Sequence, residues 1–99
     1  MSLIYSARAR RDIEAALALT QREFPSTLAD FRRHFAAMIA RISDWPLSGH
    51  PIPGRADLRA IPMVRYPYKL VYRVSVSTIE IVHFRHTSRQ TPESWEGGR

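Results

Sequence analysis

The stretch RYPYKLVYRVSVSTIEIVHFRHTSR, residues 65–89, decides the fold of this 99-residue chain. In its first half apolar side chains recur at every second position, which puts them on one face of a strand; they are Tyr66, Tyr68, Leu70, Tyr72 and Val74. The short run 74–77 predicts a turn, and residues 78–84 resume the period of two with β-branched and aromatic side chains. The stretch therefore predicts a β-hairpin whose second strand leads into basic residues.

Two amphipathic helices precede the hairpin. Between residues 8 and 24 apolar side chains recur at helical spacing; Ser6 is placed to cap this helix, and Pro25 ends it. The second helix has one apolar stripe with steps of three and four residues, and Pro46 closes it. The stripe consists of Leu28, Phe31, Phe35, Met38, Ile42 and Trp45. Because only a short break separates the helices, they are predicted to form an antiparallel hairpin.

The remaining segments complete an α+β fold. Residues 3–5 predict an edge strand, residues 47–57 an ordered loop, and residues 58–64 a strand that Pro62 confines to an edge or a bulge. The predicted order is β-α-α-β-β-β, with the antiparallel helical hairpin packed on one face of a small, mostly antiparallel twisted sheet. We expect residues 1–99 to form a single domain with a frayed tail at 96–99.

The composition indicates an anionic partner, either nucleic acid or an acidic protein. The formal net charge is +6, and fourteen of the fifteen Lys and Arg residues are Arg, whose guanidinium group suits phosphate and carboxylate oxygens. A GC-rich genome would also favour Arg over Lys. The chain has no cysteine and its four histidines show no metal-ligand spacing, so neither a metal nor a cofactor is expected. No stretch is apolar enough for a signal sequence or a membrane span, which favours the cytoplasm.

Two groups of side chains are candidates for a functional site. His86 and Arg89 follow the last strand, where a histidine can act as a general acid or base and an arginine can hold a phosphate. Lys69 and Arg73 are expected to point away from the helices beside Arg85 of the next strand. They would make a basic sheet face suited to phosphate or to an acidic peptide. For both groups the alternative is a solvated surface.

Elsewhere the residues predict structural roles. His83 shares its predicted face with Ile79 and Ile81, which indicates packing rather than chemistry. Arg32, Arg33, His34 and Arg41 lie off the apolar stripe of the second helix, as expected for a solvated helix face. The chain has no glycine-rich phosphate loop, no nucleophile elbow and no Cys–His pair.

The order of elements and three short motifs resemble the RelE/ParE superfamily of toxins from type II toxin–antitoxin modules. The motifs are WPLSG at 45–49, YKLVYRV at 68–74, and a terminal pattern of His86, Arg89 and Trp95. The resemblance covers nearly the whole chain and implies the same α+β fold. It also implies one of two activities. ParE-like members inhibit DNA gyrase by binding it, and RelE-like members are ribosome-dependent mRNA endoribonucleases.

Taken residue by residue, the resemblance favours the ParE branch and a protein that is not an enzyme. RelE-like ribonucleases use basic residues on the central strands, an arginine after the last strand and, in several members, a tyrosine in the C-terminal segment. Lys69 and Arg89 match the strand and post-strand cations. Trp95 replaces the tyrosine, and Ala60 and Pro62 lie where lysines are expected. If the chain is a ribonuclease, its catalytic candidates are Lys69, Arg73, His86 and Arg89. A scaffold that has lost activity is a third hypothesis.

The resemblance also implies a protein partner. In this family the acidic C-terminal segment of a cognate antitoxin wraps the toxin and folds as it binds, so we expect a hetero-oligomer of toxin and antitoxin. The resemblance also implies a role in plasmid stabilisation. The expected target is DNA gyrase or, alternatively, the ribosome and its mRNA. The expected partner-binding residues are Lys69, Arg73, Arg85, His86, Arg89 and Trp95.

Overall fold

Two helices cover one face of a five-stranded sheet in the computed structural model, which describes residues 1–87. The elements in chain order are β1 (Ser2–Tyr5), α1 (Ala7–Glu23), a 3₁₀ turn (Pro25–Thr27), α2 (Leu28–Asp44), β2 (His50–Ile52), β3 (Arg55–Pro62), β4 (Tyr68–Val74) and β5 (Thr78–His86). The strand order is β1-β5-β4-β3-β2; β1 runs parallel to β5, and the other neighbours are antiparallel. The predicted α+β fold is confirmed. The sequence did not predict β2 or the start of β3 at Arg55.

A β-bulge in the hairpin changes which side chains face the helices. The register leaves one extra residue, Val82, in β5 between the opposed pairs Val71–His83 and Tyr72–Ile81. Because side chains alternate along a strand, the extra residue reverses the faces beyond it. His83 is therefore opposite Val71, which lies on the outer face, the face of the sheet that the helices do not cover. From the edge of β5 the His83 side chain still reaches Asp12 of α1. The prediction that His83 shares a face with the core isoleucines of β5 is therefore wrong.

The beginning of α1 is joined to the edge of β5 where β1 ends. The Oγ atom of Ser6 accepts the N–H of Ala9 at 2.9 Å, which confirms the predicted cap. The same hydroxyl donates to the carbonyl of Val82 at 3.0 Å. Further along α1, the carboxylate of Asp12 accepts the N–H of Phe84 at 3.1 Å. The N-cap residue Ser6 and the α1 residue Asp12 therefore satisfy backbone groups of β5 beyond the end of β1.

The main core lies between the helices and the inner face of the sheet. Its fully buried large side chains come from α2, β4 and β5, namely Phe31, Ile42, Leu70, Tyr72, Ile79 and Ile81. Burying a large apolar side chain contributes roughly 1.5–3 kcal/mol, so this layer holds the hairpin against the helices. A second, smaller cluster lies on the outer face, where Leu58 and Val71 are only 2% and 0% exposed. The outer face is therefore apolar at its centre and charged towards its ends.

The loop that follows α2 is fixed to the sheet by backbone hydrogen bonds. The buried hydroxyl of Tyr72 donates to the carbonyl of Pro46 at 2.8 Å and accepts the N–H of Gly49 at 2.9 Å. From β3, the guanidinium group of Arg59 donates to the carbonyls of Leu47 and Gly49 at 3.2 and 2.8 Å. A Cβ atom on Gly49 would lie 2.7 Å from the Tyr72 oxygen, so this close approach requires glycine. The W-P-x-x-G motif thus attaches the end of the helical hairpin to β3 and β4.

Candidate functional site

Lys69 and Arg85 form a basic end of the outer sheet face. They are directly opposed on β4 and β5, so their Cβ atoms lie on one face about 4.5–5.5 Å apart. Pro62 of β3 is opposite Lys69 on its other side, and it contributes no charge. Within residues 1–87 no carboxylate lies at ion-pairing distance from Arg85. Lys69 and Arg85 therefore make this end of the outer face basic.

Arg73 lies towards the opposite end of this face, and its charge is already compensated. Its Nη1 atom donates to Glu80 at 2.8 Å, and its Nε atom donates to Asp57 at 3.2 Å. Asp57 also accepts hydrogen bonds from Arg55, and these bonds hold the pKa of Asp57 below its ordinary value. The expectation that Arg73 stands beside Arg85 is wrong, because the strand register opposes Arg73 to Glu80.

His86 lies at the end of β5 on the face that the helices cover. It is opposite Tyr68, with ring centroids 5.1 Å apart, and Tyr68 stacks on Phe84 at 4.8 Å. The three rings border a cleft of about 200 Å³ between α1 and the end of β5, which Arg8 also lines. His86 and Lys69 therefore project towards opposite faces of the sheet.

His83 and Asp12 form a titratable pair that the sequence did not reveal. The Nδ1 atom of His83 is 3.8 Å from a carboxylate oxygen of Asp12, whose other oxygen is 3.2 Å from Nε of Arg8. Burial and then the nearby charge of Arg8 lower the pKa of His83, while Asp12 acts in the opposite direction. The two residues are far apart in the chain, so no local pattern could have indicated their contact.

The described candidates are not arranged as one catalytic set. Lys69 and His86 project to opposite faces, and Arg73 is ion-paired with two carboxylates. The positions where a ribonuclease of this fold is expected to carry lysines hold Ala60 and Pro62 on β3. Stabilising the charge of a phosphoryl transition state requires cations that converge on one point, and these residues do not converge.

Two of the candidates that the sequence suggested, Arg89 and Trp95, lie outside the described residues, as does the tail at 96–99. Within the described part of the chain, no three His, Asp or Glu side chains are grouped so that they could hold a metal ion. Of the helices between residues 1 and 87, none combines the length and the apolar character needed to cross a membrane.

Comparison with known protein families gives a match over residues 3–91 to the family described as ParE toxin of type II toxin-antitoxin system, parDE. The chain belongs to the ParE toxin family. It is therefore the toxin of a type II toxin–antitoxin system, within the RelE/ParE superfamily that its motifs indicated. No curated protein matches the chain.

Solved structures of other toxins share the fold of this ParE-family chain. The chromosomal ParDE TA system from P. aeruginosa contains a chain that aligns with a TM-score of 0.72 and 18% identity, over 87% of this chain and 95% of that one. The YoeB/ParE toxin from Agrobacterium tumefaciens aligns with a TM-score of 0.62 and 20% identity, over 87% and 98%. The isolated E. coli RelE toxin aligns with a TM-score of 0.62 and 18% identity, over 97% and 94%. At these identities the similarity establishes the fold alone.

Proposed function

We propose that this ParE-family toxin inhibits DNA gyrase by binding it, without cleaving a substrate, and that a cognate antitoxin neutralises it. The observation that carries the proposal is the pairing of Arg73 with Glu80 and Asp57. This pairing withdraws a cation that a ribonuclease would need at the scissile phosphate. An inhibitor that acts by binding needs no convergent acid, base and cations. The match to the ParE family supports the same branch.

The proposed contact surface for gyrase is the basic end of the outer sheet face. Lys69 and Arg85 supply adjacent positive charges, and the partly buried Ala60 and Val82 border the apolar centre of the face. A charged rim beside apolar side chains is typical of protein interfaces. The proposal also counts His86, which lies at the end of β5 on the other face of the sheet, and Arg89 and Trp95, which lie outside the described residues, among the partner-binding residues.

The direct test is a gyrase supercoiling assay with purified toxin. We expect the wild-type protein to inhibit supercoiling, and we expect the double variant Lys69→Ala/Arg85→Ala to require at least about tenfold more protein for the same inhibition. Arg11→Ala is the matched control, because Arg11 is exposed on α1 and has no ion pair within residues 1–87. A wild-type protein that leaves gyrase untouched would overturn the proposal.

The alternative function is that of a RelE-like, ribosome-dependent mRNA endoribonuclease. It is favoured by the adjacent cations Lys69 and Arg85 and by the fold shared with E. coli RelE over 97% of this chain. A translating extract with primer-extension mapping of message ends tests it. Message cleavage that disappears in Arg89→Ala, while gyrase is unaffected, would establish this function in place of gyrase inhibition. If cells that express this protein without any antitoxin grow normally, the protein is instead a scaffold that has lost activity.

A further inference from the structure

The cleft between α1 and the end of β5 has an apolar floor. β1 pairs only with Thr78–Ile81, so beyond Ile81 the edge of β5 faces α1 instead of another strand. The cleft that results has a volume of about 200 Å³. Its apolar lining consists of Ala15, Ala16, Leu19, Tyr68 and Phe84. We call this site the α1–β5 cleft.

Aromatic rings form the wall of the cleft on the side of the sheet. Tyr68 stacks on Phe84, with centroids 4.8 Å apart and ring planes inclined by 7°. From α2, the ring of Phe31 packs edge-on against Tyr68 at 5.6 Å. On the side of α1, Ala15 contributes only a methyl group to the lining. A space between aromatic rings and small side chains suits a flat ring of a ligand.

Two arginines supply positive charge to the cleft, Arg8 from α1 and Arg85 from β5. The carboxylate of Asp12 accepts a hydrogen bond from Nε of Arg8 at 3.2 Å, and it also accepts the N–H of Phe84 at 3.1 Å. Arg85 has no ion pair with a carboxylate of residues 1–87. With His86 neutral, two arginines and one carboxylate give the lining a net charge of +1.

The two guanidinium groups act on the same region of the molecule. Burial lowers the pKa of His83 most, and the charges of Arg8 and Arg85 lower it further, against the opposing effect of Asp12. Arginines from two elements that lie near one histidine can hold a single anionic group between them. Arg85 also belongs to the basic end of the outer face, so the cleft opens beside the surface proposed for gyrase.

An apolar floor of this size beside two arginines has the chemistry that recognises a nucleotide. The guanidinium fork matches phosphate oxygens, and a base can lie against aromatic side chains. The volume of about 200 Å³ is below the roughly 300–1,000 Å³ of pockets that enclose whole small-molecule ligands. The cleft therefore has room for one base, while the sugar and phosphate stay at the mouth beside the arginines.

An acidic protein segment fits this site less well than a nucleic acid does. The centre of a protein interface is built from apolar side chains. Among residues 1–87, none of the exposed large apolar side chains belongs to α1, β4 or β5. Contacts to phosphate groups need no apolar centre, because they come from cations and polar groups.

We propose that the α1–β5 cleft binds one nucleotide of a DNA strand, with the base against Tyr68 and the phosphate between Arg8 and Arg85. The choice of DNA rests on the proposed function, because gyrase works on DNA and Arg85 belongs to both surfaces. The inference adds a second component to that function, since the toxin contacts DNA as well as the enzyme. A base that is stacked in a duplex must leave the stack to enter the cleft, so unpaired DNA binds better than duplex DNA.

The first test measures the dissociation constant of a labelled single-stranded DNA oligonucleotide for the purified toxin. Ala15→Phe fills the cleft without changing its charge, and it should weaken binding at least about tenfold because the base is excluded. Ala18→Phe is the matched control, since Ala18 is exposed on α1 outside the cleft, and it should bind like the wild type. Equal affinities of the two variants would overturn the inference.

The second test measures how the binding of the same oligonucleotide depends on salt. Arg8→Ala/Arg85→Ala should reduce the slope of log K against log salt concentration by about 1.4, as expected for the loss of two phosphate contacts on a single strand. Arg10→Ala/Arg32→Ala removes the same number of charges at exposed positions outside the cleft and should keep the slope. Equal changes in the two double variants would indicate general attraction by the positive chain and would refute the site.

Competitors identify the source of the nucleotide. Single-stranded DNA should displace the labelled oligonucleotide at lower concentration than duplex DNA of the same sequence, and polyglutamate should not displace it. RNA that binds more tightly than DNA, or free dAMP that competes as well as the oligonucleotide, would overturn the assignment to a DNA strand. Displacement by polyglutamate as effective as that by DNA would assign the cleft to an acidic protein instead.

The supercoiling assay separates a failure of this inference from a failure of the proposed function. A wild-type toxin that inhibits gyrase but does not bind single-stranded DNA overturns the inference and leaves the proposed function intact. A wild-type toxin that binds single-stranded DNA through the cleft but leaves gyrase untouched overturns the proposed function and supports the cleft as a nucleotide site.

Discussion

The hydroxyl of Tyr72 accepts the backbone N–H of Gly49 at 2.9 Å, which joins a central strand of the sheet to the loop after α2. Tyr72 is fully buried and its hydroxyl also donates to the carbonyl of Pro46. A buried tyrosine hydroxyl usually finds such partners, and here both partners belong to one loop. The position of the loop that begins at Trp45 therefore depends on the Tyr72 hydroxyl.

Tyr72→Phe removes this hydroxyl with little change in packing. It leaves the carbonyl of Pro46 and the N–H of Gly49 without their protein partner, so we expect a loss of about 1–3 kcal/mol in the free energy of unfolding. Urea denaturation measures it. Tyr5→Phe is the control, because the Tyr5 hydroxyl makes no hydrogen bond to the described residues, and its cost should stay within about 0.5 kcal/mol. Equal losses in the two variants would contradict the role of the hydroxyl.

Gly49→Ala places a methyl group 2.7 Å from the Tyr72 oxygen and 3.0 Å from the carbonyl of Ala60. We expect a loss of about 1–3 kcal/mol from the overpacking. In the double variant Gly49→Ala/Tyr72→Phe the loss should be smaller than the sum of the two single losses, because both substitutions disturb the same contact. Denaturation of all four proteins gives the coupling. If the loss in the double variant equals the sum of the two single losses, the methyl group introduced at position 49 does not contact the Tyr72 hydroxyl.

Ser6→Ala should destabilise the protein by about 1–2 kcal/mol, because one hydroxyl both caps α1 and donates to the edge of β5. Thermal and urea unfolding measure the change. Ser26→Ala in the 3₁₀ turn is the matched control, since Ser26 is exposed. Its effect should remain within about 0.5 kcal/mol, and a similar effect at both positions would contradict the double role of Ser6.

The lowered pKa of His83 predicts that the stability of the protein falls as the solution is acidified. Burial and the charges of Arg8 and Arg85 lower this pKa, against the opposing effect of Asp12. The unfolded chain therefore binds a proton near the ordinary histidine pKa of about 6.5, and the folded chain binds it only at lower pH. Stability should be constant above that value and should decrease as the pH falls through it.

Unfolding midpoints between pH 8 and pH 5 test this dependence. His83→Gln should flatten the curve in this range, where carboxylates do not yet protonate extensively. His50→Gln is the control, because His50 is exposed on β2, and it should keep the slope of the wild type. An unchanged slope in His83→Gln would assign the acid sensitivity to another group.

Arg73→Gln should have little effect on gyrase inhibition if Arg73 mainly holds Glu80 and Asp57. These ion pairs are partly exposed, so the loss of stability should stay below about 1 kcal/mol. The supercoiling assay should give inhibition within about twofold of wild type, in contrast to Lys69→Gln/Arg85→Gln, which should lose at least about tenfold. If a folded Arg73→Gln protein no longer inhibits gyrase, Arg73 belongs to the surface that contacts gyrase.

Local signals predicted the elements that local chemistry decides. Ser6 and Pro25 bound α1 as expected, because a cap and a helix breaker act within a few residues. The alternation along β4 likewise placed Leu70 and Tyr72 in the core. The strand β2 was missed because its three residues, one of them Pro51, form a strand only by pairing with β3.

The errors at the site come from contacts that no local pattern contains. One extra residue at Val82 reverses the face of His83, and the strand register alone brings Glu80 next to Arg73. Trp45 continues the spacing of the buried stripe, but α2 ends one residue earlier and the side chain becomes exposed. Register, bulges and the last residue of a helix depend on the whole fold, so the local sequence does not determine the surroundings of a side chain at such positions.

The pairing of Ser2–Tyr5 with Thr78–Ile81 also constrains when the toxin can form during synthesis. A ribosome produces β5 after every other element of the described chain, and until then β4 has a neighbour on one side only and β1 has no strand to pair with. The newly made polypeptide must wait for this late segment before distant parts meet, which slows the approach to the native state. Until Thr78–His86 has left the ribosome, the nascent toxin therefore lacks the strand that joins its first residues to the rest of the sheet.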